Sequence, residues 1–374
     1  MQDKILKIGV VGAGAVATSV HLPILTRRSD LFEVSAVADF NTASAHHLAE
    51  RFGISQDGRF SSAYEMISSG KIDSIAIINS GSHCKLVVAA LEAGLNVFCE
   101  KPLAYTKNEM SLIASALKNS DGHLMIGYMK TYDPAVVRAR KEIGSKRPRT
   151  VDVLVLHPSG ESQLATSEIS VKSFRPAPEL IEGFFKEAHD IAVEALGDSA
   201  AEAFGDEYGD IILGSIIHEL SVLRALDIHI TEIDFVDRWP RTSRSESIVI
   251  HGRTQDGVRV TIRWFYLDEY PMYQEEVRWV SESEGHHIIF PSPYILRVPT
   301  KLISTRRIGL AHDVSTFESY QPSFEIELVA FHTLATTGHQ MTDPIAAGNE
   351  DLAISQMIAK KICEVEGIKS GGDL

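Results

Sequence analysis

A nearly continuous apolar run, Ile5 to Val11, leads without a break into Gly12-Ala-Gly14-Ala-Val-Ala17. A short strand that is apolar on both sides has to be covered on both faces, as in a sheet sandwiched between helices. The G-x-G-x-x-A spacing adds a second demand. Gly12 permits a tight turn, Gly14 lets the backbone approach a pyrophosphate, and the small Ala17 lets the next helix pack closely on its strand. The helix start behind the turn, entered through Ala15 and Val16, then offers free N–H groups and a positive dipole end to phosphates.

The next residues keep to that plan. A second strand-like run, "FEVSAVADF", carries Asp39 about 20 residues beyond the motif, where an acceptor reaches the hydroxyls of an adenosine ribose. A carboxylate there repels a 2′-phosphate, so NAD is favoured over NADP. "IDSIAIIN", "LNVFCEKP" and "HLMIGYM" read as further strands, with "HCKLVVAALEAG" and "NEMSLIASALKNS" as helices between them. Strands alternating with helices of this length predict a doubly wound parallel sheet, an α/β Rossmann domain over residues 1–130. Ligands of such sheets bind outside the carboxyl ends of the strands. Glu100-Lys101-Pro102 stands at one of those ends.

The chain of 374 residues is long enough for two domains, each with its own core. Its net charge of -14 repels phosphate backbones and anionic lipids, which argues against nucleic acid and membranes as partners. Cys84, Cys99 and Cys363 form no disulfide framework and show no metal-ligand spacing. They suit a reducing compartment. The apolar start of the chain is broken by glycines and runs into charge, and no later stretch has the roughly 18 apolar residues of a membrane span. A cytoplasmic protein is expected.

From about residue 130 the period changes. "VDVLVLH", "ESIVIHGR", "GVRVTIRWFYL", "EEVRWVSE" and "HHIIFPSPYILRV" alternate with period two and are joined by short turns. They predict a mostly antiparallel sheet with one covered and one more open face. Val258, Val260, Ile262 and Trp264 fall on one side of it, Arg259, Thr261, Arg263 and Phe265 on the other. "IILGSIIHELSVLRAL" reads as one helix with a broad apolar face through Ile212, Leu213, Ile216, Ile217, Leu220 and Leu223. His218 lies opposite that face, beside Gly214, Ser221, Val222 and Ala225. A second amphipathic helix, 178–196, puts Leu180, Ile181, Phe184, Phe185, Ile191 and Leu196 along a stripe, with His189 at its edge. Residues 186–210 then carry eight acidic residues against one lysine. That is either a solvated face or an insertion delivering His189, Asp190 or Tyr208 to a substrate. His286 and His287 lack a ligand-spaced partner and read as a hairpin edge, with no metal expected.

The G-x-G-x-x-A motif, the helix opened by His83, "EAGLNVFCEKPLA", "GYMKTYDPA" and "SFEIELVAFHTLATTG" together resemble the Gfo/Idh/MocA oxidoreductases, relatives of glucose–fructose oxidoreductase and inositol dehydrogenase. The resemblance is strong over residues 5–135 and weaker beyond. It implies a C-terminal substrate-binding and oligomerisation α+β domain, residues 131–374, with a large open sheet; the acidic helical segment reads as an insertion in that domain at about 176–210. It also implies that Lys101 reaches between nicotinamide and a substrate hydroxyl, with Pro102 stiffening its turn.

Two departures stand out. The family's Thr-Pro is replaced by "INSGSH", which leaves Asn79, Ser80 and His83 as cofactor contacts beside Glu100 and Lys101. The family's Asp-x-Gly-x-His-x-x-Asp keeps only His218, with Gly214, Ile216 and Ser221 at the other places.

The resemblance implies an NAD-dependent dehydrogenase that oxidises a ring hydroxyl of a sugar, cyclitol or glycoside. Lys101 and His218 are the catalytic candidates; Tyr128, Lys130, His189 and Ser221 are substrate candidates. The same family also contains NAD-using glycoside-cleaving enzymes, and a regulator that senses dinucleotide without catalysis is a further reading.

Overall fold

The computed structural model describes residues 4–144, 147–166, 174, 177–295 and 297–374. β1 (Leu6–Val11), β2 (Phe32–Ala38), β3 (Arg59–Phe60), β4 (Ser74–Ile77), β5 (Asn96–Glu100) and β6 (Leu124–Gly127) form one sheet in the order β3-β2-β1-β4-β5-β6. Every pairing in it is parallel. α1 (Leu22–Arg27), α2 (Thr42–Phe52), α3 (Ala63–Ser68), α4 (Cys84–Glu92) and α5 (Lys107–Lys118) connect these strands. β4 and β6 are buried at every position, as strands covered on both faces require. Local chemistry sets the helix starts. Asn41 Oδ1 accepts the Ala43 N–H at 3.2 Å and Thr106 Oγ1 accepts the Glu109 N–H at 3.1 Å, each satisfying a donor that the first turn leaves open.

α6 (Pro134–Ile143), β7 (Thr150–His157), α7 (Gly160–Thr166), α8 (Pro178–Leu196), α9 (Asp198–Glu207) and α10 (Ile217–Ala225) follow. Then come β8 (Ile230–Trp239), β9 (Ser247–Thr254), β10 (Arg259–Tyr266), β11 (Gln274–Val280), β12 (Glu284–Phe290), β13 (Lys301–Ile308), β14 (Ala311–Glu318), α11 (Ser323–Thr337) and α12 (Pro344–Glu366). The eight strands lie in the order β14-β13-β12-β11-β7-β10-β9-β8, with β7 and β10 parallel and the other pairs antiparallel. This is the expected Rossmann sheet plus a C-terminal α+β part with a large, mostly antiparallel sheet. Val151, Val153, Val155, Val260, Ile262, Trp264, Val277 and Trp279 cover its buried face. The opposite face carries polar pairs such as Arg263 Nη2–Asp152 Oδ2 at 2.6 Å.

The chain groups into two compact units, each discontinuous in sequence. Residues 1–127, 170–191 and 327–352 make up the first, and residues 128–169, 192–326 and 353–374 the second. In the first, Phe98 of β5 packs edge-on against Phe331 of α11, ring centres 5.7 Å apart. In the second, Arg238 of β8 is buried between Glu207 and Glu366, at 2.8 Å from each. Glu207 of the acidic stretch is therefore a buried ion-pair partner and not part of a solvated face.

Other local readings change as well. The single helix expected at 211–226 is a π-helix, Tyr208–Ile216, followed by α10. "HHIIFPSPYILRV" stops being a strand at Phe290, because Pro291 has no N–H for the ladder; residue 296 lies outside the described residues. His286 stands in an interior strand, not at a hairpin edge, with its ring stacked on Trp279 at 4.9 Å. The apolar stripe of α8 is largely uncovered, with Leu180, Phe184 and Phe185 all exposed. The first residue of the expected acidic insertion, 176, lies outside the described residues.

Candidate active site

In the first unit the order of the parallel strands reverses between β1 and β4, the place where such sheets open a crevice. Gly12 lies on its rim with φ +99, and a Cβ there would stand 2.8 Å from the backbone N of Asn79. Only glycine fits. Two residues on, a Cβ at Gly14 would meet nothing within 4 Å, so this backbone faces open space that a phosphate can enter. The chain then enters a π-helix, Ala17–His21, directly ahead of α1.

Asp39 closes β2 with both oxygens engaged: Oδ2 accepts the Ala13 N–H and Oδ1 the Asn41 N–H, each at 2.7 Å. The acid expected to meet a ribose thus also clamps the glycine turn. Asn79 Nδ2 donates to the Ser80 carbonyl at 2.9 Å, while its buried Oδ1 has no hydrogen-bond donor among the described residues. Ser80 is exposed, and Ala15 and Val16 are half-buried.

Beyond β4 and β5 the two loops are tied to each other. The ring nitrogens of buried His83 lie 2.8 Å from the Asn79 and Pro102 carbonyls, so His83 braces the rim through backbone groups. Glu109 Oε1 accepts from Ser82 Oγ at 2.5 Å and its Oε2 from the Tyr105 N–H at 2.7 Å. Lys101, half-buried, precedes a cis peptide bond to Pro102. Glu100 Oε1 meets His21 Nε2 at 2.9 Å. Burial opposes the Glu100 charge, but the His21 hydrogen bond and the charges of His21, Lys101 and His83 outweigh it and hold the carboxyl below its usual range. Glu327 of α11 is fully buried, neither oxygen has a hydrogen-bond partner among the described residues, and burial together with the Glu100 charge pushes its carboxyl well up. This acid escaped the sequence reading, although it falls within the stripe of Phe324, Leu328 and Phe331.

In the second unit the π-helix and α10 are buried nearly all round, and over 211–223 only Gly214, Ser215 and His218 are half-buried. Of the residues read beside His218, Gly214 is half-buried like the histidine, while Ser221 and Val222 are buried. Ser215 Oγ accepts from Trp264 Nε1 at 2.9 Å. His157, at the end of β7, stacks on Tyr266 at 6.2 Å and meets Tyr273 edge-on at 5.7 Å; burial lowers its pKa.

Four substrate candidates occupy places other than those expected. Ser221 is fully buried and donates to the His218 carbonyl at 2.7 Å, so packing withdraws it from any ligand. Tyr128 is buried under the Arg224 guanidinium, 4.8 Å from its ring centre. Lys130 is buried, with Nζ 2.5 Å from both Glu275 oxygens and 3.4 Å from Glu219 Oε1. His189 points outward, exposed, from α8, and Asp190 beside it pairs with Lys186 at 2.5 Å. Tyr208 is buried in the π-helix. Tyr273 completes the Lys130 cluster by donating to Glu275 Oε2 at 2.6 Å. Burial pushes the Glu219 carboxyl well up, Lys130 opposing and Glu275 adding to the shift. Among the described residues no three His, Cys, Asp or Glu side chains converge as metal ligands. No helix of the described residues is long and apolar enough to cross a membrane.

A family model described as "Oxidoreductase family, NAD-binding Rossmann fold" matches residues 6–128. An inositol 2-dehydrogenase of Corynebacterium glutamicum (strain R) is 31% identical over 145 residues, 38% of this chain and 42% of its own length. One of Paracoccus denitrificans (strain Pd 1222) is 32% identical over 140 residues, 37% of this chain and 41% of its own. The match therefore spans about two fifths of these curated relatives. Among solved structures, UDP-N-acetylglucosamine 3-dehydrogenase GnnA from Acidithiobacillus ferrooxidans superposes with TM-score 0.69 at 15% identity, covering 96% of this chain and 98% of that one. KijD10, a 3-ketoreductase from Actinomadura kijaniata in complex with NADP and TDP-benzene, gives 0.72 at 14% identity over 96% and 98%. These two likenesses are of fold.

Proposed function

Because the chain carries, over residues 6–128, the NAD-binding Rossmann domain of the Gfo/Idh/MocA oxidoreductases, we propose that it oxidises a ring hydroxyl of a sugar, cyclitol or glycoside with NAD as cofactor. The observation that carries this reading is the open cradle at Gly14, with Asp39 and Lys101 at strand ends of the same sheet. Asp39 supports NAD, because its charge opposes a 2′-phosphate. The inositol dehydrogenases named above support a ring hydroxyl as the reacting group.

A nicotinamide, when bound, supplies the acceptor for the hydride that leaves the carbinol carbon. The remaining chemistry falls to side chains. As the carbon loses its hydride and the carbonyl forms, the hydroxyl proton passes to His218, while Lys101 hydrogen-bonds the oxygen and steadies its developing charge. In this reading residues 1–130 hold the dinucleotide, residues 131–374 bind the substrate, and the large sheet joins subunits of a cytoplasmic homo-oligomer.

A regulator that binds dinucleotide without turnover is the second reading, favoured by Gly214 and Ser221 where the family pattern has aspartates. Reduced-nicotinamide absorbance, recorded with NAD and with NADP over a panel of inositols, sugars and glycosides, separates the two. Turnover on any member supports the dehydrogenase. Tight dinucleotide binding with silence across the panel supports the regulator.

A further inference from the structure

We propose that the first half of α8 is a wall of the dinucleotide site, with Phe184 as its contact residue, and that it slows release of a bound nicotinamide dinucleotide. The proposal rests on the reading that the Rossmann crevice holds such a dinucleotide. It adds a ligand contact from outside the β1–β6 segment.

Two contacts place α8 on the rim. Gly81, in the loop after β4, has φ +84, and a Cβ there would stand 2.9 Å from Phe184 Cε2, so the ring lies directly on that backbone. One turn further along α8, Glu187 Oε1 meets Lys85 Nζ of α4 at 2.5 Å. On the other side of the crevice, Asn41, two residues past Asp39, donates from Nδ2 to the Phe174 carbonyl at 3.0 Å. Phe174 and Phe184 thus stand at the ends of β2 and β4. Those are the strand ends on either side of β1, where the order reverses and a dinucleotide lies.

Leu180, Phe184 and Phe185 nevertheless stay 44%, 37% and 65% exposed. A contiguous apolar stripe left open beside a crevice marks a binding surface. The dinucleotide is the occupant, because both tethers of the stripe stand on the rim of its crevice and the apolar faces of its rings match the stripe. Contacts that form only after the ligand has seated itself act on the dissociation rate more than on the association rate.

Stopped-flow NADH fluorescence on the full chain measures both rates. Phe184→Ala should raise the dissociation rate at least tenfold, with the association rate within about twofold of wild type. A second pair of variants leaves the ring in place. Lys85→Glu, which repels Glu187, should raise the rate about threefold or more, and Lys85→Glu with Glu187→Lys should bring it back. These side chains are exposed, so the pair decides the matter if Phe184→Ala fails to fold. Dissociation within about twofold of wild type for Lys85→Glu, and for a folded Phe184→Ala, overturns the wall and leaves the dinucleotide reading standing. A wild type that binds neither NADH nor NADPH overturns both.

Discussion

Asp39 Oδ2 accepts the N–H of Ala13 at 2.7 Å, so the carboxylate that closes β2 also holds the turn that follows β1. Hydrogen bonds to a charged acceptor contribute roughly 1.5–3 kcal/mol each, and each oxygen keeps a lone pair for a ribose hydroxyl. Asp39→Ala removes the clamp and the acceptor together. NADH binding should weaken about tenfold or more, the equivalent of about 1.4 kcal/mol per decade. Asp39→Asn keeps one acceptor and drops the charge, so NADPH should bind it more tightly than it binds wild type. Fluorescence titrations with both cofactors check this. Wild type that holds NADPH as tightly as NADH refutes the assignment of Asp39.

The catalytic assignment is tested by kinetics. Lys101→Ala and His218→Ala should each lower turnover by roughly 10²-fold or more, the scale of general acid–base catalysis, with NAD affinity nearly intact. A His218 variant with wild-type turnover would move the base to another residue.

Lys130 is a stability residue in this geometry. It is buried between Glu275 and Glu219, so Lys130→Met leaves carboxylates without their counter-charge. Removing one partner of a buried ion pair costs about 3–5 kcal/mol, and denaturant unfolding should show a loss of that order. A loss below about 1 kcal/mol would mean that the cluster is solvated in solution.

Glu327 sets a pH dependence whose sign follows from its burial. Its folded pKa lies well above the ordinary value, so the folded state keeps a proton that the unfolded chain releases. The stability linked to this proton is full below the ordinary carboxylate range and is lost as pH rises toward the folded pKa, at up to about 1.4 kcal/mol per pH unit. Glu327→Gln mimics the neutral acid and removes that slope. Unfolding free energies measured from about pH 5 to about pH 8 should fall less steeply in the variant than in wild type. Parallel profiles would show that Glu327 is ionised in the fold.

The parallel sheet was legible because its strands are apolar on both faces, and Gly12 was legible because the backbone there admits no side chain. The second sheet was legible through period-two runs such as Val258 to Trp264. Single-chain periodicity carries no partner information, and that is where the reading failed. Ser221 looked available beside His218, yet packing and a bond to the His218 carbonyl remove it. Lys130 looked like a substrate residue, yet its partner Glu275 is remote in sequence and stands on β11, which pairs with β7. Both π-helices shift the phase of the helix that follows, and residue types do not announce them. Glu327 was within reach, as a carboxylate in register with Phe324, Leu328 and Phe331.

Gly214 is where this chain departs from the family pattern one turn before His218, and it gives the sharpest test of function. In the π-helix a Cβ at 214 would stand 3.0 Å from the Gly209 carbonyl oxygen, so any side chain there must push that turn by a few tenths of an ångström. Overpacking of this kind typically costs about 1–3 kcal/mol, and Gly214→Ala measures it alone. Gly214→Asp adds a carboxylate about 5–6 Å from His218 in Cβ terms, which favours the imidazolium and crowds whatever approaches the ring. In a working dehydrogenase a ring that already holds a proton cannot take the substrate's, and crowding keeps the substrate off it, so activity on the true substrate should fall further in Gly214→Asp than in Gly214→Ala. In a dinucleotide sensor that has lost its catalytic acid the order reverses: wild type is silent, and the aspartate brings weak oxidation of simple polyols. Reduced-nicotinamide formation by the three proteins on one substrate panel distinguishes these cases. Activity gained by Gly214→Asp over a silent wild type would end the dehydrogenase reading.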